Sequence, residues 1–287
     1  MGDARLSVSV VTGATGGIGR WIALGLARAG HAVVVVGRDR SRGGDALAWI
    51  GARAPSARVE LVIADLSSLA ATRQAGLQIQ SRHPAIDVLV NNAGVFCVRR
   101  EETPEGHERV IAVNHLAPFV LTRALLPALH AASLGSLGSP GARIVNIGSS
   151  TSDRARIDPA DLEGRRRWGM VRSYSQSKLA LMMATFGWAR RLQGDGIVAN
   201  VVHPGAVATG LVRAPGAIGL AWRGLARFQL TEEQGADTPL HVALSPEFAT
   251  VTGVYVKRRR AARPNPRALD PALAERVWAA TEALAGP

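Results

Sequence analysis

Seven short, largely apolar runs, separated by stretches long enough to be helices, constrain the fold of this chain more than any other feature. They are Val8–Val11, Ala32–Val36, Val59–Ile63, Ile86–Val90, Ile144–Ile147, Ile197–Val202 and, less regular, Val251–Val256. None shows the strict polar–apolar alternation of a strand with one wet face. Runs of this kind suit strands buried on both faces of a parallel sheet. The intervening segments 17–29, 42–53, 68–82, 105–130, 174–193 and 231–244 have crossover length. In the first of them Ile18, Trp21, Ile22, Leu24 and Leu26 fall at helical spacing. The rhythm predicts one α/β domain over residues 1–287, a doubly wound parallel sheet of about seven strands with helices on both faces. A further helix is expected near 271–284. The stretches 132–141, 151–172, 213–228 and 258–271 read as irregular.

Composition narrows the class. With 47% apolar and 20% charged residues the chain has the makeup of a folded globule. A single cysteine, Cys97, excludes an internal disulfide framework and a cysteine-rich zinc site, and no metal is expected. No uninterrupted apolar run approaches the ~20 residues of a membrane span, so no span is expected. The first strand-like run begins without a basic and apolar leader, which points to a cytoplasmic location. The net charge is +12, and of 34 lysines and arginines only Lys178 and Lys257 are lysines. The basic clusters Arg165–Arg167 and Lys257–Arg260 raise the possibility of a nucleic-acid or membrane-surface patch. Both are short and lack interleaved aromatics, so solvated surface is the expected reading and no nucleic-acid partner is expected.

The first strand-to-helix junction reads Val10-Val11-Thr12-Gly13-Ala14-Thr15-Gly16-Gly17-Ile18-Gly19. Glycines here permit a tight turn, let backbone N–H groups approach a pyrophosphate and let the helix pack closely on the strand. The helix N-terminus then faces anionic phosphates. A strand before and a helix after make Gly13, Thr15, Gly16, Gly17, Ile18 and Gly19 candidate dinucleotide-binding residues.

The spacing Thr-Gly-x-x-x-Gly-x-Gly resembles the short-chain dehydrogenase/reductase family, and further matches follow in that family's order. Asp65-Leu66 follows the third run, Asn91-Asn92-Ala93-Gly94 the fourth, and Asn114 lies in the long helix. Ser149 closes the fifth run, and Tyr174 and Lys178 form a Tyr-x-x-x-Lys element. Pro204-Gly205, with Val207 and Thr209 behind it, follows the sixth. The resemblance covers roughly residues 5–256 and implies a Rossmann-like fold. It implies Asn114, Ser149, Tyr174 and Lys178 as catalytic residues. It implies cofactor contacts from Asp65, Leu66, Asn91, Ala93, Gly94, Tyr174, Lys178, Pro204, Gly205, Val207 and Thr209, with Asp65 beside the adenine.

The chemistry of the pair is intelligible from the residues. Tyr174 and Lys178 are i and i+4 on a helix and share one face. A tyrosine titrates near ~10, and a nearby ammonium is expected to lower that value and fit the phenol for acid–base work. By resemblance, Lys178 also holds the nicotinamide ribose, Ser149 orients a carbonyl, and Asn114 holds a proton-relay water near Lys178.

The end of the second run selects the cofactor. An acid there binds the ribose 2′-OH, whereas an arginine accommodates a 2′-phosphate. The sequence places Gly37 where an acid would stand and Arg38 directly after it, which points to NADP(H) over NAD(H). Asp39 is the competing ribose acid and is expected to face solvent or a neighbouring arginine. Arg40 and Arg42 are weaker phosphate candidates.

Ser149 and Tyr174 stand 25 residues apart, and the insertion carries Asp161-Leu162. This resembles the retinol dehydrogenase and WW-domain oxidoreductase branch. A substrate lid is expected near 209–230, with Ile218, Leu220, Trp222, Leu225 and Phe228 either lining a lipophilic site or packing the lid down. The expected function is hydride transfer between NADP(H) and a lipophilic carbonyl or secondary alcohol. The alternative is a catalytically silent NADP-binding sensor or scaffold, against which the intact Ser149/Tyr174/Lys178 set counts. His203 and Cys97 are expected to be structural. A homodimer or homotetramer through 105–130 and 174–193 is implied by resemblance alone.

Overall fold

The structure, a computed structural model, describes residues 5–134, 141–207 and 230–287. Thr209 and the expected lid residues Arg213–Phe228 lie outside the described residues. The strands are β1 Val8–Thr12, β2 Ala32–Gly37, β3 Val59–Ile63, β4 Val88–Asn91, β5 Ala142–Ile147, β6 Ile197–His203, β7 Tyr255–Lys257 and β8 Arg260–Ala262. They form one sheet in the order β3-β2-β1-β4-β5-β6-β7-β8. The first seven pair in parallel, and β8 pairs antiparallel with β7. This gives eight strands where about seven were expected. The eighth falls inside the stretch read as irregular, because its three residues are partnered only along one edge and leave no run of apolar residues.

The longer helices are α1 Gly17–Arg28, α2 Arg40–Gly51, α3 Leu69–Arg82, α4 Arg109–Leu134, α5 Met170–Arg191, α6 Glu232–Leu244 and α7 Pro271–Ala285. Several starts are written in their caps. Asp39, Ser68, Thr231 and Asp270 each accept a backbone N–H from their own helix's first turn. Val10, Val34 and Leu89 face a core shared with α3, α4 and α5. Val11, Val33, Val35 and Val90 face the opposite core, under α1 and α6. A strand such as Val8–Thr12 is therefore buried at every position, which is why its residues do not alternate. Strand order reverses between β1 and β4, and the crevice at the carboxyl ends of these strands is where such sheets bind ligands.

Helix α4 is long and apolar enough to cross a bilayer, yet 78% of its most apolar stretch is buried inside the protein, as befits a core helix. Helix α7 packs across α4 and α5. Its Trp278 meets the Phe119 and Trp188 rings edge-on or nearly so, each at 4.9 Å between centroids. Arg73 donates to the Ala285 carbonyl at 3.0 Å and Arg123 to that of Gly286 at 2.5 Å.

Both basic clusters are partly matched within the chain. Arg165 pairs with Glu163, Arg166 with Asp158, Lys257 with Asp153 and Arg259 with Asp237.

Candidate active site

Tyr174 and Lys178 project from the second and third turns of α5 and are both buried, at 9% and 4% exposure. The ammonium of Lys178 lies 6.0 Å from the centre of the Tyr174 ring. It donates one hydrogen bond, 2.8 Å long, to the carbonyl of Ile147 at the end of β5, which leaves two of its three N–H groups for other partners. Complete burial, with no carboxylate against it, pulls the Lys178 pKa down to about 8. Burial also raises the Tyr174 phenol above its ordinary value, and the adjacent Ser149 hydroxyl offsets only part of that rise. The expectation of a lowered tyrosine is therefore reversed in the protein alone. Desolvation of the phenolate outweighs the Ser149 hydrogen bond, and the Lys178 ammonium stands 6.0 Å from the ring centre.

Ser149 follows β5 and is half-buried. Its hydroxyl accepts from the Thr151 N–H at 3.3 Å and from the Thr151 hydroxyl at 3.1 Å, so its own proton is left to donate elsewhere.

Asn114 sits in a π-helical turn, Ala112–Leu116, inside α4. Such turns interrupt the regular ladder and recur at functional sites. Its Oδ1 accepts from the Val95 N–H at 2.8 Å, and its Nδ2 donates to the Val95 carbonyl at 3.0 Å and the Ser177 hydroxyl at 3.1 Å. Both amide protons are thus spent on bracing the segment after β4 against α5, so a water held beside Lys178 could not draw on them.

The glycine-rich turn packs on the segment after β4. Gly13 has φ 65°, and a Cβ there would lie 2.8 Å from the Ala93 backbone, so no other residue fits without displacement. Asn92, rather than Asn91, reaches this turn, donating to the Thr12 carbonyl at 2.9 Å. The Asn91 amide points into the core, onto Asn146 at 2.8 Å and Thr122 at 3.2 Å. Ile18, Val207 and the start of α6 close over the same end, where a Cβ at Gly235 would stand 2.6 Å from Val207 and 3.2 Å from Ile18. Pro204 and Gly205 turn the chain after β6, Gly205 with φ 95°.

At the end of β2 Arg38 is exposed. Partial burial would raise the nearby Asp65 carboxyl, but hydrogen bonds from Ser67 and the charges of Arg38 and Arg109 together hold it below its ordinary value. Leu66 is buried beside it. Asp39 is exposed to solvent. It accepts the Arg42 backbone N–H at 3.0 Å and caps α2. Arg42 in turn reaches the glycine-rich turn, its guanidinium 3.3 Å from where a Cβ on Gly16 would stand.

The insertion before α5 is anchored by residues that no sequence motif singles out. Glu108, 1% exposed, accepts from Trp168 and Ser173 at 3.1 Å each and from the Ile111 N–H at 2.8 Å. Gln176, inside the Tyr-x-x-x-Lys element, donates to the carbonyls of Asp161 and Leu162 at 3.0 and 3.1 Å. Phe96 packs against Tyr174 with the rings tilted by 58° and centroids 5.3 Å apart, and Val95, Cys97 and Val110 complete an apolar wall around the phenol. Burial pushes the Cys97 thiol up to about 11, so it stays neutral and acts as packing. His203 is also held neutral, burial pulling it down to about 4. No cluster of three or more potential metal ligands occurs among the described residues.

These features fit a nicotinamide dinucleotide. The cradle at Gly13 admits backbone but not a side chain, a helix N-terminus stands behind it, and a buried lysine keeps two N–H groups without partners among the described residues.

The profile of the short chain dehydrogenase family matches residues 7–216. Polyprenol dehydrogenase of Mus musculus is 40% identical over 284 residues, spanning 97% of this chain and 84% of that protein. Retinol dehydrogenase 12 of Mus musculus is 35% identical over 271 residues, spanning 94% of this chain and 84% of that protein. A short chain dehydrogenase from Burkholderia cenocepacia J2315, solved in complex with NADP, shares the fold with a TM-score of 0.66 at 29% identity, covering 87% of this chain and 95% of that one.

Proposed function

Because the chain belongs to the short-chain dehydrogenase/reductase family, in its retinol dehydrogenase-like branch, we propose that it transfers hydride between NADP(H) and a lipophilic carbonyl/alcohol pair, with Tyr174 as the general acid/base. The observation that carries this reading is the buried Tyr174–Lys178 face of α5 beside the Ser149 hydroxyl. When bound, the nicotinamide supplies or takes up the hydride.

The side chains divide the remaining work. Ser149 donates its free O–H to the substrate oxygen and orients it. Tyr174, kept protonated by burial, gives its proton to that oxygen as negative charge develops there during carbonyl reduction. In alcohol oxidation the same phenol, ionised, takes the proton back. Lys178 uses its two remaining N–H groups to hold ribose hydroxyls and sets a positive charge near the ring that favours the ionised form. Asn114 acts by fixing the Val95–Cys97 wall and the α5 face relative to each other.

NADP over NAD is supported by the exposed Arg38, by Arg42 over the glycine-rich turn and by the use of Asp39 as a helix cap. A lipophilic substrate is supported by the apolar wall of Val95, Phe96, Cys97 and Val110 and by relatives named for polyprenol and retinol. An oligomer built through α4 and α5 would have to use the faces that α7 leaves open, and sedimentation would read its size.

A panel of ketones, aldehydes and isoprenoid alcohols assayed with NADPH, NADP, NADH and NAD tests the reading. Turnover with the phosphorylated cofactor, abolished by Tyr174→Phe while NADPH binding persists, is expected. No turnover across the panel, or a preference for the unphosphorylated cofactor, would overturn it.

A further inference from the structure

The chain contains two tyrosines and two lysines. One of each forms the site above. The others, Tyr255 and Lys257, stand two residues apart on β7 and converge on one carboxylate, Asp153. The Tyr255 hydroxyl donates to Asp153 Oδ1 at 2.9 Å and the Lys257 ammonium to Oδ2 at 2.5 Å. Asp153 belongs to a short helical turn, Ser150–Arg154, that begins immediately after Ser149.

The same turn is gripped a second time. Asn265, 1% exposed, donates both amide protons to it, to the Ser152 carbonyl at 2.8 Å and the Ala155 carbonyl at 2.9 Å. Ser152 passes the constraint on, its hydroxyl donating to the Ser149 carbonyl at 2.6 Å. The segment 149–155 is thus held from residues about a hundred positions away in sequence. Loops carrying functional groups otherwise tend to be the mobile parts of a fold.

The hairpin that presents Lys257 is built at a cost. Its two turn residues, Arg258 and Arg259, have φ of 49° and 63°, in the left-handed region that hairpin turns of this length usually give to Asn-Gly. A non-glycine residue held there brings its Cβ too close to the following carbonyl oxygen and is strained. The Arg259–Asp237 ion pair, made through two guanidinium nitrogens, holds the turn in place. A two-residue turn keeps β7 and β8 in register, with Lys257 opposite Arg260 and Tyr255 opposite Ala262, and so fixes the two donors that meet Asp153.

We propose that Asp153 is a positioning residue for Ser149. On this account the β7–β8 hairpin, through Tyr255 and Lys257, sets the Ser149 hydroxyl against Tyr174, and Asn265 holds the far end of the same turn. The assignment rests on the oxidoreductase reading of Ser149 and Tyr174. Its structural half, that the hairpin immobilises 149–155, stands apart from that reading and is measured separately.

The test uses three variants of the full chain. D153N keeps the shape and one acceptor for Tyr255 but turns an amide N–H₂ toward the Lys257 ammonium. D153N/K257Q supplies an acceptor for that amide and restores a paired contact. Y255F removes a single donor. Misplacing a catalytic group by about an ångström costs up to about a hundredfold. D153N is therefore expected to lower kcat by about tenfold to a hundredfold, with the substrate KM and the NADPH Kd changed less than about twofold. Hydrogen exchange at 149–155 should rise selectively. D153N/K257Q should recover most of both changes, and Y255F should fall between wild type and D153N. Unchanged kcat and exchange in D153N would overturn the proposal. So would a loss that D153N/K257Q fails to recover, since that is the behaviour of general destabilisation. If the wild type turns over no carbonyl or alcohol, the oxidoreductase reading falls. The exchange rates at 149–155 then still decide whether the hairpin clamps the turn.

Discussion

The Thr15 methyl fills the space into which any side chain at position 37 would grow, so close that a Cβ on Gly37 would overlap it. Thr15 belongs to the glycine-rich turn after β1 and Gly37 to the end of β2. The two are therefore a matched pair, and the missing acid at position 37 is a matter of volume as well as charge. Gly37→Asp alone should lower kcat/KM with NADPH by about tenfold or more, roughly 1.4 kcal/mol or more, and gain little with NADH, because the aspartate cannot seat. Thr15→Ser removes only the offending methyl. The pair T15S/G37D should show a gain with NADH that exceeds the sum of the single changes. Additive single effects in that cycle would refute the steric coupling.

Arg38 and Arg42 approach the expected 2′-phosphate region from different elements, one from the end of β2 and one from the first turn of α2. Charge-assisted hydrogen bonds to phosphate are the strong kind. Arg38→Ala and Arg42→Ala should each reduce kcat/KM for NADPH by about tenfold, equivalent to about 1.4 kcal/mol, and leave NADH almost unaffected. An equal loss with both cofactors would mean that the arginine serves the fold or the pyrophosphate instead.

Lys178 is held at about 8 by burial, against an ordinary value near ~10.4. Between these values the unfolded chain binds the proton that the folded chain has released, so this lysine makes stability rise with pH across that window. Below it both states are protonated and the whole penalty is felt, an upper figure of roughly 3 kcal/mol. Lys178→Met should therefore be more stable than wild type at pH 7, with the advantage shrinking by pH 9.5. Urea unfolding at the two pH values measures this, and a constant difference would refute it.

His115 lies next to Asn114 in the π turn, fully buried, and desolvation pulls it down to about 3. Thr281 donates its hydroxyl to the Val277 carbonyl at 2.7 Å, so its oxygen accepts from His115 Nε2 at 2.8 Å. Nδ1 then stands buried without a partner among the described residues. The unfolded histidine takes a proton near ~6.5. Stability contributed by the neutral ring is complete above that value and lost as pH falls toward 3, by about 2 kcal/mol at pH 5. His115→Gln keeps a donor for Thr281 and removes the titration. It should lose less stability than wild type between pH 7 and 5, and identical losses would refute the assignment.

Much of the architecture was legible from residue order. Apolar runs such as Ala32–Val36 marked strands because a sheet covered on both faces needs no alternation. The eighth strand was not legible, since Arg260–Ala262 becomes a strand only by pairing with β7. Tyr174 and Lys178 were legible as an i, i+4 pair on one helix, and Ser149 and Asn114 through the resemblance to the short-chain dehydrogenase/reductase family. Their protonation was not, because a pKa depends on what surrounds a group from every side. Burial raised the tyrosine that an ammonium alone was expected to lower.

What residue order determined by itself was local and periodic: strands, helices, the glycine-rich turn and the i, i+4 pair. Tertiary structure alone decided which distant residues meet. It brought Tyr255 and Lys257 onto Asp153, Thr15 into the space beside Gly37, Arg42 over the phosphate turn and Glu108 under the insertion. These contacts join residues from separate elements and carry no periodic signal, so only the folded sheet, by fixing which strand ends lie side by side, could assign them.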